Sequence, residues 1–304
     1  MNQEATDVLQ DPRRFHPQRR SIKPFLLRVE KSGHLVLVVS NTATVNSNDQ
    51  PGEVLKGGLN EVLRVGTTVI RKTGGHSPGV HALLQHLERA GFAAAPRLLA
   101  VDALAGTETL SFLEGETTDY PLAESFQTDK AMISAARLLR RLHNASDGFE
   151  AAGYSWFLPP RSPEEVMCHG DFAPYNCVLQ DGEVVGLFDF DTAHPGPRLW
   201  DLGYLAYRWV PLVSPLNLDG FGTIADQTRR LPLLCEAYGT DCIDEVLDQA
   251  HQRVLAMVDS MRSFAAAGHA GFQRHIDEGG DELYLRDAQH IADHRAILLG
   301  LDPA

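Results

Sequence analysis

The stretch Cys168-His169-Gly170-Asp171-Phe172-Ala173-Pro174-Tyr175-Asn176-Cys177-Val178-Leu179 is followed, thirteen residues beyond Asn176, by Asp189 within Gly186-Leu187-Phe188-Asp189-Phe190-Asp191. The apolar runs Cys177–Leu179 and Val184–Phe188 flank Gln180-Asp181-Gly182, and an Asp-Gly pair between two such runs predicts a tight hairpin. A hairpin brings its ends together, so Asn176 and Asp189 are expected side by side, with Asp171 a short loop away. An Asp, an amide and a second Asp form an oxygen-rich cluster. Hard Mg²⁺ prefers such ligands and commonly shares them with phosphate oxygens. The remaining Asp171 can orient a hydroxyl and accept its proton, which completes the parts of a phosphoryl-transfer site.

Outward from this hairpin the pattern divides the chain. Residues 1–20 are polar and irregular, read as a mobile tail. Phe25–Val29 and Leu35–Val39 predict a hairpin, and Glu53–Lys56, Val62–Val65, Thr68–Lys72, Arg97–Val101 and Thr107–Phe112 predict further strands. Leu83, Leu84 and Leu87 have helical spacing and Gly91 supplies a stop. Beyond about residue 120 the period is helical, in 130–143 and again from Thr228 to the end, with breaks at Gly239, Gly268, Gly279 and Gly280. The fold class predicted is α+β: a small β-rich N-terminal lobe with one helix, residues 21–115 including a hinge, and a larger, mainly helical lobe, residues 116–304.

His169-Gly170-Asp171-x₄-Asn176 followed by Phe188-Asp189-Phe190-Asp191 resembles the aminoglycoside phosphotransferase family, which is related to choline kinases and shares the bilobal protein-kinase-like fold. Trp200-Asp201-Leu202-Gly203 resembles the family's structural Asp on the helix after the metal loop. Leu138-Leu139-Arg140-Arg141-Leu142-His143 resembles the helix before the catalytic loop, and Gly57-Gly58-Leu59-Asn60 its nucleotide loop. The likeness spans roughly residues 50–295. It implies a small-molecule kinase that moves the γ-phosphoryl group of ATP, with GTP the second candidate, to a substrate hydroxyl with Mg²⁺. By the same resemblance Asp171 is the catalytic base. Asn176 and Asp189 hold the metal, and His169, Asp191 and Asp201 support the loop. Gly57, Gly58, Asn60, Arg71, Ser111 and Leu113 meet the nucleotide, the last two at the hinge.

Two departures stand out. The family's phosphate-facing strand Lys is replaced by Arg71, with Lys72 beside it; strand alternation turns only one of them to the cleft, and Arg71 shares a face with Val69. No acid occupies Val80-His81-Ala82-Leu83, where the helix Glu that partners this cation is expected, and Glu88 lies two turns too late. The ion pair is then either absent or replaced by His81, and a nucleotide-binding pseudokinase with a regulatory role is the alternative reading. A protein kinase is disfavoured, because no Ala-Pro-Glu segment follows Asp189 and Trp200-Asp201 comes within a dozen residues.

Composition sets the remaining bounds. Of 304 residues 43% are hydrophobic and 22% charged, a globular mixture. The net charge of −13 argues against a general nucleic-acid binder. No apolar run approaches the roughly 18 residues of a membrane span, and the four Arg among residues 1–20 precede no apolar stretch, so a cytoplasmic location is expected. The four cysteines form no CxxC pair and read as free thiols. Residues 241–304 carry five Arg against twelve acids. That surplus motivates a cationic or polyhydroxylated acceptor, with Asp259, Asp277, Glu278, Asp281 and Glu282 as candidate contacts.

Overall fold

The structure, a computed structural model, describes the strands β1 (Leu27–Val29), β2 (Leu35–Leu37) and β3 (Glu53–Leu55) and then residues 62–301. Of the sequence expectations, the tail 1–20 and the nucleotide-loop residues Gly57, Gly58 and Asn60 lie outside the described residues. β1 and β2 pair antiparallel. β3 joins β4 (Val62–Val65), β5 (Thr68–Lys72), β6 (Leu98–Asp102) and β7 (Thr107–Ser111) in one antiparallel sheet of order β3-β4-β5-β7-β6. The helix α1 (Ser77–Arg89) accompanies this sheet and buries Val80, Leu83, Leu84 and Leu87, an i, i+3, i+4, i+7 stripe.

The rest is mainly helical. In α2 (Asp129–Ala145) the Thr128 hydroxyl caps the Ala131 N–H, and Leu138, Leu139 and Leu142 are fully buried, each worth about 2–5 kcal/mol on truncation to Ala. Four short strands follow: β8 (Val166–Cys168), β9 (Cys177–Gln180), β10 (Glu183–Leu187) and β11 (His194–Gly196). β9 pairs with β10 and β8 with β11. α3 (Arg198–Trp209) is buried from Trp200 to Trp209, lying against α5 (Ile243–Ala266). The contact depends on Gly203: a Cβ there would stand 2.7 Å from the Ala250 nitrogen. α4 (Ile224–Tyr238), α6 (Ala270–Asp277), α7 (Gly280–Asp293) and α8 (Arg295–Leu298) complete this part. α4 begins four residues before the expected Thr228, because Thr223 and Asp226 form a reciprocal capping box that starts it earlier. No helix of the described residues is long and apolar enough to cross a membrane. The fold is thus bilobal α+β, and its buried apolar cluster runs from α1 into the helical part.

Candidate active site

The predicted hairpin forms between β9 and β10. Asp181 and Gly182 both take positive φ, 51° and 75°, the conformation a two-residue turn of this hand requires. The Phe188 N–H donates to the Asn176 carbonyl (2.9 Å), so the two ends of the hairpin meet. Asp189 then adopts the left-handed region, with φ 63° and ψ 64°.

Behind the loop, Asp201 of α3 receives three donors. The His169 N–H (2.7 Å) and His143 Nε2 (3.2 Å) reach Oδ2, and the Gly170 N–H (3.0 Å) reaches Oδ1. Burial alone would raise the Asp201 carboxyl; the His143 hydrogen bond and the neighbouring imidazoles outweigh it and hold it down to about 2. His169 Nδ1 accepts from the Asp171 N–H (3.3 Å) while Nε2 faces the Phe188 carbonyl (3.0 Å), linking the loop to the strand that carries Asp189. Gly170, at φ 81°, sits so close to Thr192 that a Cβ would meet its carbonyl oxygen at 2.4 Å. Arg253 of α5, a residue the sequence reading missed, donates to the Gly170 carbonyl (2.6 Å).

His194 on β11 is buried, with Nδ1 2.8 Å from the Thr192 carbonyl, and burial pushes it down to about 4. Between that value and its ordinary 6.5 the unfolded chain binds a proton that the folded chain refuses. Stability is therefore expected to fall as pH drops through this window, by roughly 3 kcal/mol from this group at its lower end. Urea unfolding at about pH 7 and about pH 4.5 checks the sign, and His194→Gln should flatten the difference.

Arg71 points into the cleft. Its Nε meets Glu108 Oε1 (2.5 Å), Nη1 meets Asp189 Oδ1 (3.1 Å) and Nη2 meets Asp191 Oδ1 (2.7 Å). Burial would lower the guanidinium, but Asp191, Asp189 and Glu108 together raise it. Lys72 is exposed, its Nζ 3.4 Å from the Ala105 carbonyl. The acid that partners Arg71 comes from the neighbouring strand: Glu108 on β7 is the cross-strand partner of Arg71 in register, and its other oxygen contacts His81 of α1. Both alternatives read from the sequence are therefore corrected: the ion pair exists, and His81 joins Glu108 rather than replacing it. Glu108→Ala is expected to cost about 2–3 kcal/mol in urea unfolding. That is less than for a fully stranded buried charge, because Arg71 keeps both aspartates.

Asn176 Nδ2 donates to both the Asp171 carbonyl and Asp171 Oδ2, each at 2.9 Å. Both partners are acceptors, so the amide oxygen turns the other way, and among the described residues no donor reaches it. Asp189 is half-buried; desolvation and then Asp191 push it up to about 6 against the pull of Arg71. An amide oxygen and a half-buried carboxylate crowded by Asp191 fit a hard divalent cation. Among the described residues no group of three acidic, His or Cys side chains forms a cage, so such a cation needs phosphate oxygens for the rest of its shell.

At the expected hinge the Ser111 N–H is spent on the Arg97 carbonyl (2.9 Å), and its hydroxyl accepts from the Arg97 N–H (2.8 Å). No main-chain hydrogen bond among the described residues engages Leu113. Of the five acids expected at the acceptor, Asp281 is buried against Arg262 (2.7 Å), Glu282 pairs with Arg286 (3.2 Å) and Asp277 accepts from Gln273 (2.9 Å), while Asp259 and Glu278 are exposed. Arg208 reaches Asp171 through a phenol: its Nε donates to the Tyr204 hydroxyl (3.3 Å), and Tyr204 in turn donates to Asp171 Oδ1 (2.7 Å).

A sheet with one helix, a larger helical part, and a hairpin with Asn176 and Asp189 at its ends, Asp171 on the loop that leads into it and a strand-borne cation against Asp189, define a protein-kinase-like phosphotransferase. Residues 151–232 match the phosphotransferase enzyme family. The trifolitoxin immunity protein of Rhizobium leguminosarum bv. trifolii is 34% identical over 195 residues, 60% of this chain and 72% of that protein. The chain belongs to the phosphotransferase enzyme family. Its fold is shared with a candidate aminoglycoside phosphotransferase from Ralstonia eutropha JMP134 (TM-score 0.56, 13% identity, 80% of this chain and 92% of that one). A choline kinase from Streptococcus pneumoniae has the same fold (TM-score 0.50, 15% identity, 80% and 93%).

Proposed function

We propose that the protein is an ATP-dependent kinase that moves the γ-phosphoryl group to a hydroxyl of a small-molecule acceptor, with Mg²⁺ held by Asn176 and Asp189. The observation that supports this most is the meeting of Asn176 and Asp189 at the two ends of one hairpin, with Asp171 hydrogen-bonded to Asn176 and Arg71 against Asp189. When bound, the metal neutralises phosphate charge. Arg71 binds the phosphates, Leu113 offers main-chain groups to the base, and Asp171 aligns the hydroxyl and takes its proton. The pseudokinase alternative rested on a cation without an acid, and Glu108 supplies that acid.

A mass-spectrometric screen of small-molecule pools with MgATP should yield a phosphorylated product; no product with any pool would count against the reading. Arg71→Ala should weaken MgATP binding at least tenfold, about 1.4 kcal/mol or more, whereas Lys72→Ala should leave it within about twofold; the reverse order would move the assignment to Lys72.

One observation favours a particular acceptor. The 34% identical relative is named for immunity to trifolitoxin, so a toxin bearing a hydroxyl is the second reading. Intact-mass measurement of trifolitoxin incubated with this protein and MgATP tests it directly. For a cationic acceptor, Asp259 and Glu278 are the two exposed acids of the original five that remain outside the bonds above. A cytoplasmic location suits an enzyme that needs MgATP.

A further inference from the structure

The catalytic-loop carboxylate is held at one oxygen by two phenols, one on the loop just before the hairpin and one on α3. Tyr175 Oη donates to Asp171 Oδ1 at 2.6 Å and Tyr204 Oη donates to the same oxygen at 2.7 Å, with the two phenol oxygens 3.2 Å apart. Tyr204 is buried on α3, and one turn further Arg208, also buried, donates from Nε to the Tyr204 oxygen (3.3 Å). The Arg208 guanidinium lies over the Tyr207 ring (4.8 Å) and among the rings of Tyr120, Tyr175, Tyr204 and Tyr284, and no carboxylate pairs with it among the described residues. With the Tyr204 oxygen accepting from the Arg208 N–H, its own O–H is left to donate, and the charged Asp171 Oδ1 at 2.7 Å is a nearer and stronger acceptor than the Tyr175 oxygen at 3.2 Å. Burial raises the Tyr204 phenol to about 12, so it keeps that proton at neutral pH.

A carboxylate oxygen has two good acceptor directions. On Oδ1 both are taken by the phenols. On Oδ2 one is taken by Asn176 Nδ2 at 2.9 Å, and among the described residues no donor takes the other. We propose that Tyr175 and Tyr204, with Arg208 behind them, are positioning residues that fix the Asp171 carboxylate so that only Oδ2 can receive the acceptor hydroxyl. The inference rests on the kinase reading above. In that reaction the acceptor O–H and the bond between Pγ and the bridging oxygen break, the acceptor O–Pγ bond forms, ADP leaves, and the proton goes to Asp171 Oδ2. Without the phenols the carboxylate rotates about its Cβ–Cγ bond and presents either oxygen, so alignment suffers while nucleotide binding does not.

The test uses the full chain with MgATP and with water as the acceptor hydroxyl, reading ADP release for turnover and calorimetry for MgATP affinity. Tyr204→Phe and Tyr175→Phe should each lower kcat roughly 10–100-fold, with MgATP affinity and KM within about twofold. In an Asp171→Asn background the same changes should add less than about twofold, because they act through the carboxylate. Tyr175 is half-buried and at the edge of the cluster, so its variant folds even if Tyr204→Phe does not. Near wild-type kcat in Tyr175→Phe, or losses that add fully to that of Asp171→Asn, would overturn the proposal and reduce the phenols to packing. A wild-type chain that binds no MgATP would overturn the kinase reading and this inference together, a result distinct from the first two.

Discussion

Asp189→Ala should abolish metal-dependent turnover and leave no Mg²⁺ enhancement of ATP binding. Asp189 is the carboxylate at the far end of the hairpin from Asn176, and it already carries more negative charge than its surroundings relieve: desolvation and Asp191 push it up while Arg71 alone pulls it down. In the proposed site a divalent cation shared with phosphate would complete that balance, and the variant removes the carboxylate of the Asn176–Asp189 pair. The fold should survive, because Arg71 keeps Glu108 and Asp191. Calorimetry of ATP with and without Mg²⁺ reads the effect. A variant whose ATP affinity still rises with Mg²⁺ as in the wild type would remove Asp189 from the metal site.

Asp171→Asn should keep MgATP binding and lower transfer by about 10²–10⁴-fold, the usual worth of a general base. The substitution preserves shape. It also leaves an amide facing two phenol donors on one side and Asn176 Nδ2 on the other, so one of these bonds is lost or reversed. That adds a misalignment to the missing base and places the expected loss in the upper half of the range. Turnover within about tenfold of wild type would make Asp171 a bystander. Loss of MgATP binding would make it a metal ligand instead.

The hairpin of β9 and β10 was legible because its signals are local. The Asp181-Gly182 turn, the two apolar runs and the short loop from Asp171 to Asn176 fix one another within a score of residues. Arg71 was legible for the same reason, since strand alternation from Val69 turns it inward. Glu108 was not. It is an acid at an inward position of an alternating strand, and its meaning depends on β7 lying beside β5, a pairing that the intervening α1 and β6 conceal. Tyr204 and Arg208 were hidden by distance along the chain: they reach Asp171 only because α3 is wrapped on all sides and carries the phenol back to the loop. The acidic C-terminal segment was legible only as a count of charges. Counting charges cannot tell that Asp281 is already engaged by Arg262 or Glu282 by Arg286.

Kinase activity is tested most directly by transfer of label from ATP carrying a radioactive γ-phosphate, with Mg²⁺, into a small-molecule pool freed of macromolecules. The wild-type chain should give a labelled product other than ATP and inorganic phosphate, and Asp171→Asn and Asp189→Ala none above background. Equal label transfer by all three proteins, or none by the wild type across pools that include hydroxylated acceptors of each charge, would contradict it.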